Sequence, residues 1–277
     1  MVQFRLLTNE RLTAMDSGLL RDLLTLISGV VTGVMSGAFG VGGAVISTPA
    51  IRALGLSAAL AVGTTLPSII PGAIAGSWRY RTAELIRWDV VVATAPAGII
   101  SAVIGAWISP RVPGDGHLLM VLTAALLMWS AINMIRTHTP ANLSDGLVVA
   151  RRSPKLLAVI TGLLAGGLSG LLGVGGGIVM VPLFRRWLRL PIKNAIATSL
   201  ICVGCFAVPG TITHALEGYI DWRFATWLAA GVIVGAPLGS RLALKMSDKR
   251  LQRAFGLFLA VIAVFYGLGE LLALELF

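Results

Sequence analysis

The residues with the most chemical promise in this chain are glycines. Residues 37–43 read GAFGVGG and residues 170–176 read GLLGVGG, each followed six residues later by a proline, Pro49 and Pro182. Clustered glycine costs a helix about 1 kcal/mol per residue relative to alanine, so each run marks an interruption. A helix that restarts after such a break begins with unpaired N–H groups and the positive end of its dipole, a combination suited to a small anion. The candidate anion ligands are therefore the backbone groups of Gly40, Gly42 and Gly43 in the first run, and of Gly173, Gly175, Gly176 and Gly177 in the second. Hydroxyls recur at equivalent places downstream, Thr64 and Thr65 after the first run, Thr198 and Ser199 after the second. In an apolar helix such a hydroxyl commonly bonds the carbonyl one turn back. Their recurrence beside the glycine runs makes them candidate ligands too.

Other chemistries find little footing. Gly40-Val-Gly42 fits only the opening of a dinucleotide fingerprint, since Val45 stands at its last glycine, and that fingerprint also requires a strand and a βαβ unit. Cys202 and Cys205 form a C-x-x-C inside an apolar stretch with no second pair or histidine cluster, so they read as packing rather than a metal or redox site. Glu84, Asp89, Glu217 and Asp221 fall at segment ends, which leaves no carboxylate at mid-segment for a proton relay. Arg79, Arg81 and His214 also stand at segment ends, where long polar side chains reach toward the interface. With no nucleophile–base pair, metal set or cofactor motif, an enzyme is not expected.

The elements that must carry the glycines are membrane helices. Of 277 residues, 56% are hydrophobic and 12% charged, with a mean hydropathy of +0.88, whereas soluble domains carry about 25% charged residues. Val90–Pro110, Leu118–Ile135 and Leu156–Phe184 are nearly free of charge, each long enough for a hydrocarbon core of about 30 Å. Backbone groups in lipid must pair internally, so a helical bundle follows. The net charge of +10 then sits in loops as topology signal, and no nucleic acid is expected as a partner; the lipid bilayer is. The start lacks the apolar core of a signal peptide.

The chain repeats itself. Gly29, Gly33, Ser36, Gly37 and the glycine run through Pro49 recur 133 residues later as Gly162, Gly166, Ser169, Gly170 and the run through Pro182; Ala61, Thr64, Leu66, Gly76, Ile86 and Trp88 recur as Ala195, Thr198, Leu200, Gly210, Ile220 and Trp222. The expected organisation is a tail over 1–21, a first transmembrane repeat over 22–136, a polar linker over 137–155 and a second repeat over 156–277. The fold class is all-α integral membrane protein, with two homologous repeats of four hydrophobic segments each and a broken first segment in both. Leu23–Ala38 would be roughly 24 Å long and Ala44–Leu54 roughly 16 Å, so neither piece crosses alone, as in discontinuous transporter helices. Gly29, Gly33 and Gly37, like Gly162, Gly166 and Gly170, form small-xxx-small faces for close helix packing. The 22 Lys and Arg divide 11 to 11 between the two faces if every segment spans, but 16 to 6 if both broken segments turn back. Re-entry in the second half alone gives 19 to 3 and breaks the repeat symmetry. The positive-inside rule therefore favours inverted repeats, with the N-terminus outside and loops 79–87, 136–155, 185–193 and 241–253 inside. A pseudo-two-fold axis would join the two helix starts in one central anion site, with Gly42 and Gly175 facing a cavity.

The doubled G-x-x-G-V-G-G motif, with its downstream proline and Thr/Ser pair, resembles the sulfite exporter TauE/SafE family over residues 22–274. That resemblance implies a multi-pass secondary transporter of the bacterial inner membrane, moving small sulfur-containing anions such as sulfite or organosulfonates, usually outward. Two other readings stay open: a transporter of the same fold for a different solute, and a membrane anchor or assembly subunit without transport. The sequence leaves the oligomeric state open, a homodimer among the options.

Overall fold

The computed structural model describes residues 2–112, 117–136, 154–173 and 175–275. Among them are ten α-helices and no strand: α1 (Val2–Phe39), α2 (Ala44–Ala53), α3 (Ala58–Thr82), α4 (Trp88–Ile108), α5 (His117–Arg136), α6 (Pro154–Leu172), α7 (Gly177–Trp187), α8 (Ile192–Leu216), α9 (Trp222–Lys245) and α10 (Asp248–Glu275). Seven of them (α1, α3, α4, α6, α8, α9 and α10) are long and apolar enough to cross a membrane. Of the linker, only Pro154 and Lys155 lie within the described residues, at the start of α6.

Both glycine runs break the helix where the sequence places the break. The first limb is longer than expected, however. Helix α1 runs through the tail boundary at residue 21, and Gly18–Phe39 is a candidate span in its own right. Leu19, Leu20 and Leu23 are exposed on it, so apolar surface suited to lipid begins before residue 22. Of the limbs of the two broken segments, only the short ones, α2 and α7, are too short to cross.

Glycine sets the helix pairs. Along α1, a β-carbon at Gly29 would stand 2.5 Å from the Leu228 carbonyl oxygen of α9, and one at Gly33 2.6 Å from that of Val232. Gly231, Gly235 and Gly239 of α9 meet the α1 backbone in the same way, so the two helices lie backbone to backbone. Asp22, midway along α1, pairs at 2.8 Å with Arg223 at the start of α9, and Gly29, Gly33 and Gly37 meet Leu228, Val232 and Ala236 in rising order, which makes α1 and α9 parallel. The equivalent pair is α4 with α6: Gly162, Gly166 and Gly170 face Thr94, Gly98 and Ala102 in rising order. Helices α3 and α8 cross antiparallel, with Leu66 at Gly210, Ala73 at Gly204 and Gly76 at Leu200. Outside them, Gln252 at the start of α10 donates to the Met134 carbonyl near the end of α5.

The registers also show what the short limbs do. Gly43 sits against Thr32 and Ser36 of α1, and Ile51 belongs to an apolar cluster with Phe224 and Leu228, at the end where α9 begins. Helix α2 therefore runs back beside α1. Helix α3 then sets out from the same end, because Thr64 bonds Asp221 and Gly72 meets Val232. In the second half Gly176 turns back against Ala165 of α6. Helix α8 then starts beside the turn before α4, where Asn194 bonds the Leu85 carbonyl.

Candidate functional site

The two glycine runs, 133 residues apart in sequence, touch. A β-carbon at Gly42 would lie 3.6 Å from the Gly175 Cα, and one at Gly175 would lie 2.8 Å from the Val41 carbonyl oxygen. Gly40, Gly42, Gly43, Gly173, Gly175 and Gly176 all have positive φ, between 58° and 85°, a region open to glycine and costly for other residues. Gly177 has ordinary helical backbone at the first position of α7 and is glycine for another reason. A methyl there would collide with the Gly40 carbonyl and stand 2.7 Å from the Val41 Cα.

These loops carry buried donors. Ile46 and Ser47 donate to the Gly43 carbonyl, and Val179 and Met180 to that of Gly176, which closes the first helical turns. The N–H groups of Gly42, Gly43, Ala44 and Val45, and those of Gly175, Gly176 and Ile178, have no protein acceptor among the described residues. All of these residues are buried. Burying an unpaired peptide group costs several kcal/mol in a medium that cannot hydrogen-bond, so donors kept free at two converging helix starts are what anion binding needs.

The sequence also anticipates that Gly42 and Gly175 face a cavity. The structure corrects this. The β-carbon direction of Gly42 is filled by the Val203 side chain and that of Gly175 by the Val41 carbonyl, so the glycines exist to let the loops approach each other. The hydroxyls divide into two pairs. Thr65 donates to the Val62 carbonyl at 2.9 Å, and Ser199 sits between the carbonyls of Gly40 (2.9 Å) and Ile196 (3.0 Å). Thr64 and Thr198 instead accept backbone N–H groups from Asp221 (2.9 Å) and Arg87 (3.1 Å), the residues that open α9 and α4. Ser199 thus lies at the loops, whereas Thr64 and Thr198 tie each half's second segment to the other half's third.

Three side chains that the sequence does not flag hold the loops in place. The Tyr80 hydroxyl donates to the Gly37 carbonyl at 2.8 Å, Tyr266 to Val45 at 3.3 Å, and Ser130 to Ile178 at 2.9 Å. Val45 and Ile178 are equivalent positions, so each outer helix, α5 or α10, steadies the start of one short limb. The donors differ in kind and do not align between the halves, which hides them from a repeat comparison. His214 is buried rather than interfacial, its Nδ1 2.9 Å from the Gly210 carbonyl. Cys202 is buried, Cys205 half-buried, and both are free. Replacing both with alanine is expected to leave transport within a few-fold of wild type; loss of transport by a protein that still folds would give the pair a functional role.

Seven helices long and apolar enough to cross a membrane, packed around two touching helix breaks, fit a multi-pass membrane protein of the transporter class. The chain belongs to the Sulfite exporter TauE/SafE family, whose sequence profile matches residues 25–266. A probable membrane transporter protein of Xylella fastidiosa (strain 9a5c) is 30% identical over 248 residues, covering 88% of this chain and 94% of the relative. One from Methanocaldococcus jannaschii is 28% identical over 87% of this chain and 94% of its own length. The probable membrane transporter protein YunE of Bacillus subtilis is 23% identical, with coverages of 82% and 90%. No solved structure matches. The protein is a membrane transporter and not an enzyme.

Proposed function

We propose that this transporter moves small sulfur-containing anions, sulfite or organosulfonates, outward across a bacterial inner membrane. The anion binds near the bilayer midplane, where the two glycine loops converge. The observation that carries this reading is the set of buried N–H groups at the starts of α2 and α7 that have no acceptor among the described residues. Such donors match an oxyanion and repel a cation. The test is the thermal stability of the purified protein against a panel of sulfite, sulfate, sulfoacetate and chloride. Binding to the native state raises the melting temperature with concentration. A concentration-dependent rise with sulfite or sulfoacetate, absent with chloride, is expected; no response to any sulfur anion would refute the proposed substrate class.

In the same reading the two halves, 22–136 and 156–277, are inverted repeats that alternate access around the loops. Support comes from the helix registers above, since α1 pairs with α9 as α6 pairs with α4. The loops at Arg87, Arg189 and Lys245 then face the cytoplasm, as their Lys and Arg content favours. In a background with Cys202 and Cys205 replaced by alanine, a cysteine at exposed Ser57 or Glu217 should react with a membrane-impermeant maleimide in intact cells. One at Ser247 should react only after the cells are opened. Ser57 and Ser247 labelling from the same face would contradict the inversion.

A further inference from the structure

The two halves offer an anion unequal chemistry. Helical threonines in lipid normally donate to the carbonyl one turn back, and Thr25 and Thr161 do so at 2.7 and 2.8 Å. Thr32 and Thr48 do not. Their Oγ1 atoms are buried without a hydrogen-bond partner among the described residues, in residues only 1% and 3% exposed. Thr32 lies on α1 directly against the first glycine loop, its Cγ2 2.6 Å from where a Gly43 β-carbon would be. Thr48 lies one helical turn beyond Ala44 on α2. Both flank the end of α2 at which the N–H groups of Gly43, Ala44 and Val45 have no acceptor among the described residues. The equivalent positions in the second half are Ala165 and Val181, which can donate nothing, and Gly177 N–H there is turned onto the Gly175 carbonyl.

We infer that the transported anion takes its side-chain donors from the first half alone, at the start of α2 beside α1, with the Thr32 and Thr48 hydroxyls as the specificity-determining donors. The second half supplies the surface against which the first loop closes. Two hydroxyls on different helices, added to the backbone N–H groups, would offer several oxygens a donor each, which suits a three-oxygen anionic group, sulfite or sulfonate, over a halide. Buried hydroxyls with no protein partner are explained when a ligand partners them. The inference rests on the anion-transport reading above.

Isothermal titration of the full-length protein in detergent with potassium sulfite tests it. Thr32→Val and Thr48→Val, which keep shape and remove the hydroxyl, should each weaken sulfite binding about tenfold or more, the worth of a hydrogen bond to a charged group. Thr32→Ser should bind as wild type, as should Thr161→Val, which removes a hydroxyl already spent on the Leu157 carbonyl. Without ligand, both Thr→Val variants should melt no lower than wild type, since each loses an unpartnered polar atom. If wild type binds sulfite and both Thr→Val variants bind equally well, the inference fails while the transport reading stands. If wild type binds neither sulfite nor sulfoacetate, both fail. Saturable heat from sodium gluconate but none from potassium gluconate or potassium sulfite, lost in both Thr→Val variants, would make the hydroxyls cation ligands and overturn the inference.

Discussion

Alanine at Gly166 should cost the protein most of its folded yield, while alanine at the next residue, Gly167, should cost nothing. A methyl at Gly166 would collide with the Gly98 carbonyl of α4 and stand 2.6 Å from both the Gly98 carbonyl carbon and Cα. These are backbone atoms of a helix packed along its whole length, so the only relief is to push α4 and α6 apart. That forfeits van der Waals contact at every small residue on the seam, the interaction that holds helices together in lipid. Overpacking of this kind costs about 1–3 kcal/mol or more. At Gly167 the nearest atom to a new methyl is the Ser101 Cβ at 3.7 Å, an ordinary contact, and alanine should even gain up to about 1 kcal/mol in helix propensity. The measurement is monodisperse yield and melting temperature in detergent for the two single variants. Equal behaviour would mean that the α4–α6 seam is not packed as described.

The second large effect belongs to the loops. Gly177→Ala should abolish anion binding, because its methyl lands on the Gly40 carbonyl and forces the two runs apart. The first half carries Ala44 at the same position without penalty, so the demand comes from the opposing loop and not from helix geometry. Gly42→Ala should be damaging for two reasons, its φ of 83° and the Val203 side chain in its path. Shortening Val203 to alanine removes the second. The double variant Gly42→Ala/Val203→Ala should therefore recover part of the lost binding, whereas Val203→Ala should do nothing for Gly177→Ala. Sulfite affinity across the four proteins checks this, and rescue of Gly177→Ala would mean that loop contact is not what the glycine provides.

What sequence reasoning reaches here follows from periodicity and repetition. The break at Gly40–Gly43 is legible because glycine clusters have few other uses in an apolar helix, and its recurrence at 173–176 excludes accident. The seam glycines are equally legible, since spacing by four puts Gly29, Gly33 and Gly37 on one face. Their partner is not, because nothing local to α1 names α9. The first limb extends past residue 22 because Leu19 and Leu20 sit in a tail whose charges hide its helical continuity. The roles of the hydroxyls also lie beyond the sequence. Thr64 and Thr198 recur as candidate ligands, but nothing in the sequence shows that each also accepts the N–H that opens a helix of the opposite half, and Thr32 and Thr48 go unremarked because they do not recur. A search for symmetry finds the scaffold. Asymmetry within the repeat is where a site for one small anion can be concealed.

In the proposed function the converging glycine loops carry an anion across the membrane. This is tested most directly by uptake of ³⁵S-labelled sulfite into proteoliposomes preloaded with unlabelled sulfite, comparing wild type with Gly177→Ala. Wild type should accumulate label transiently and in proportion to the protein reconstituted, and Gly177→Ala, at equal incorporation, should match empty liposomes. Counterflow by Gly177→Ala equal to wild type, or none by wild type, would contradict the account.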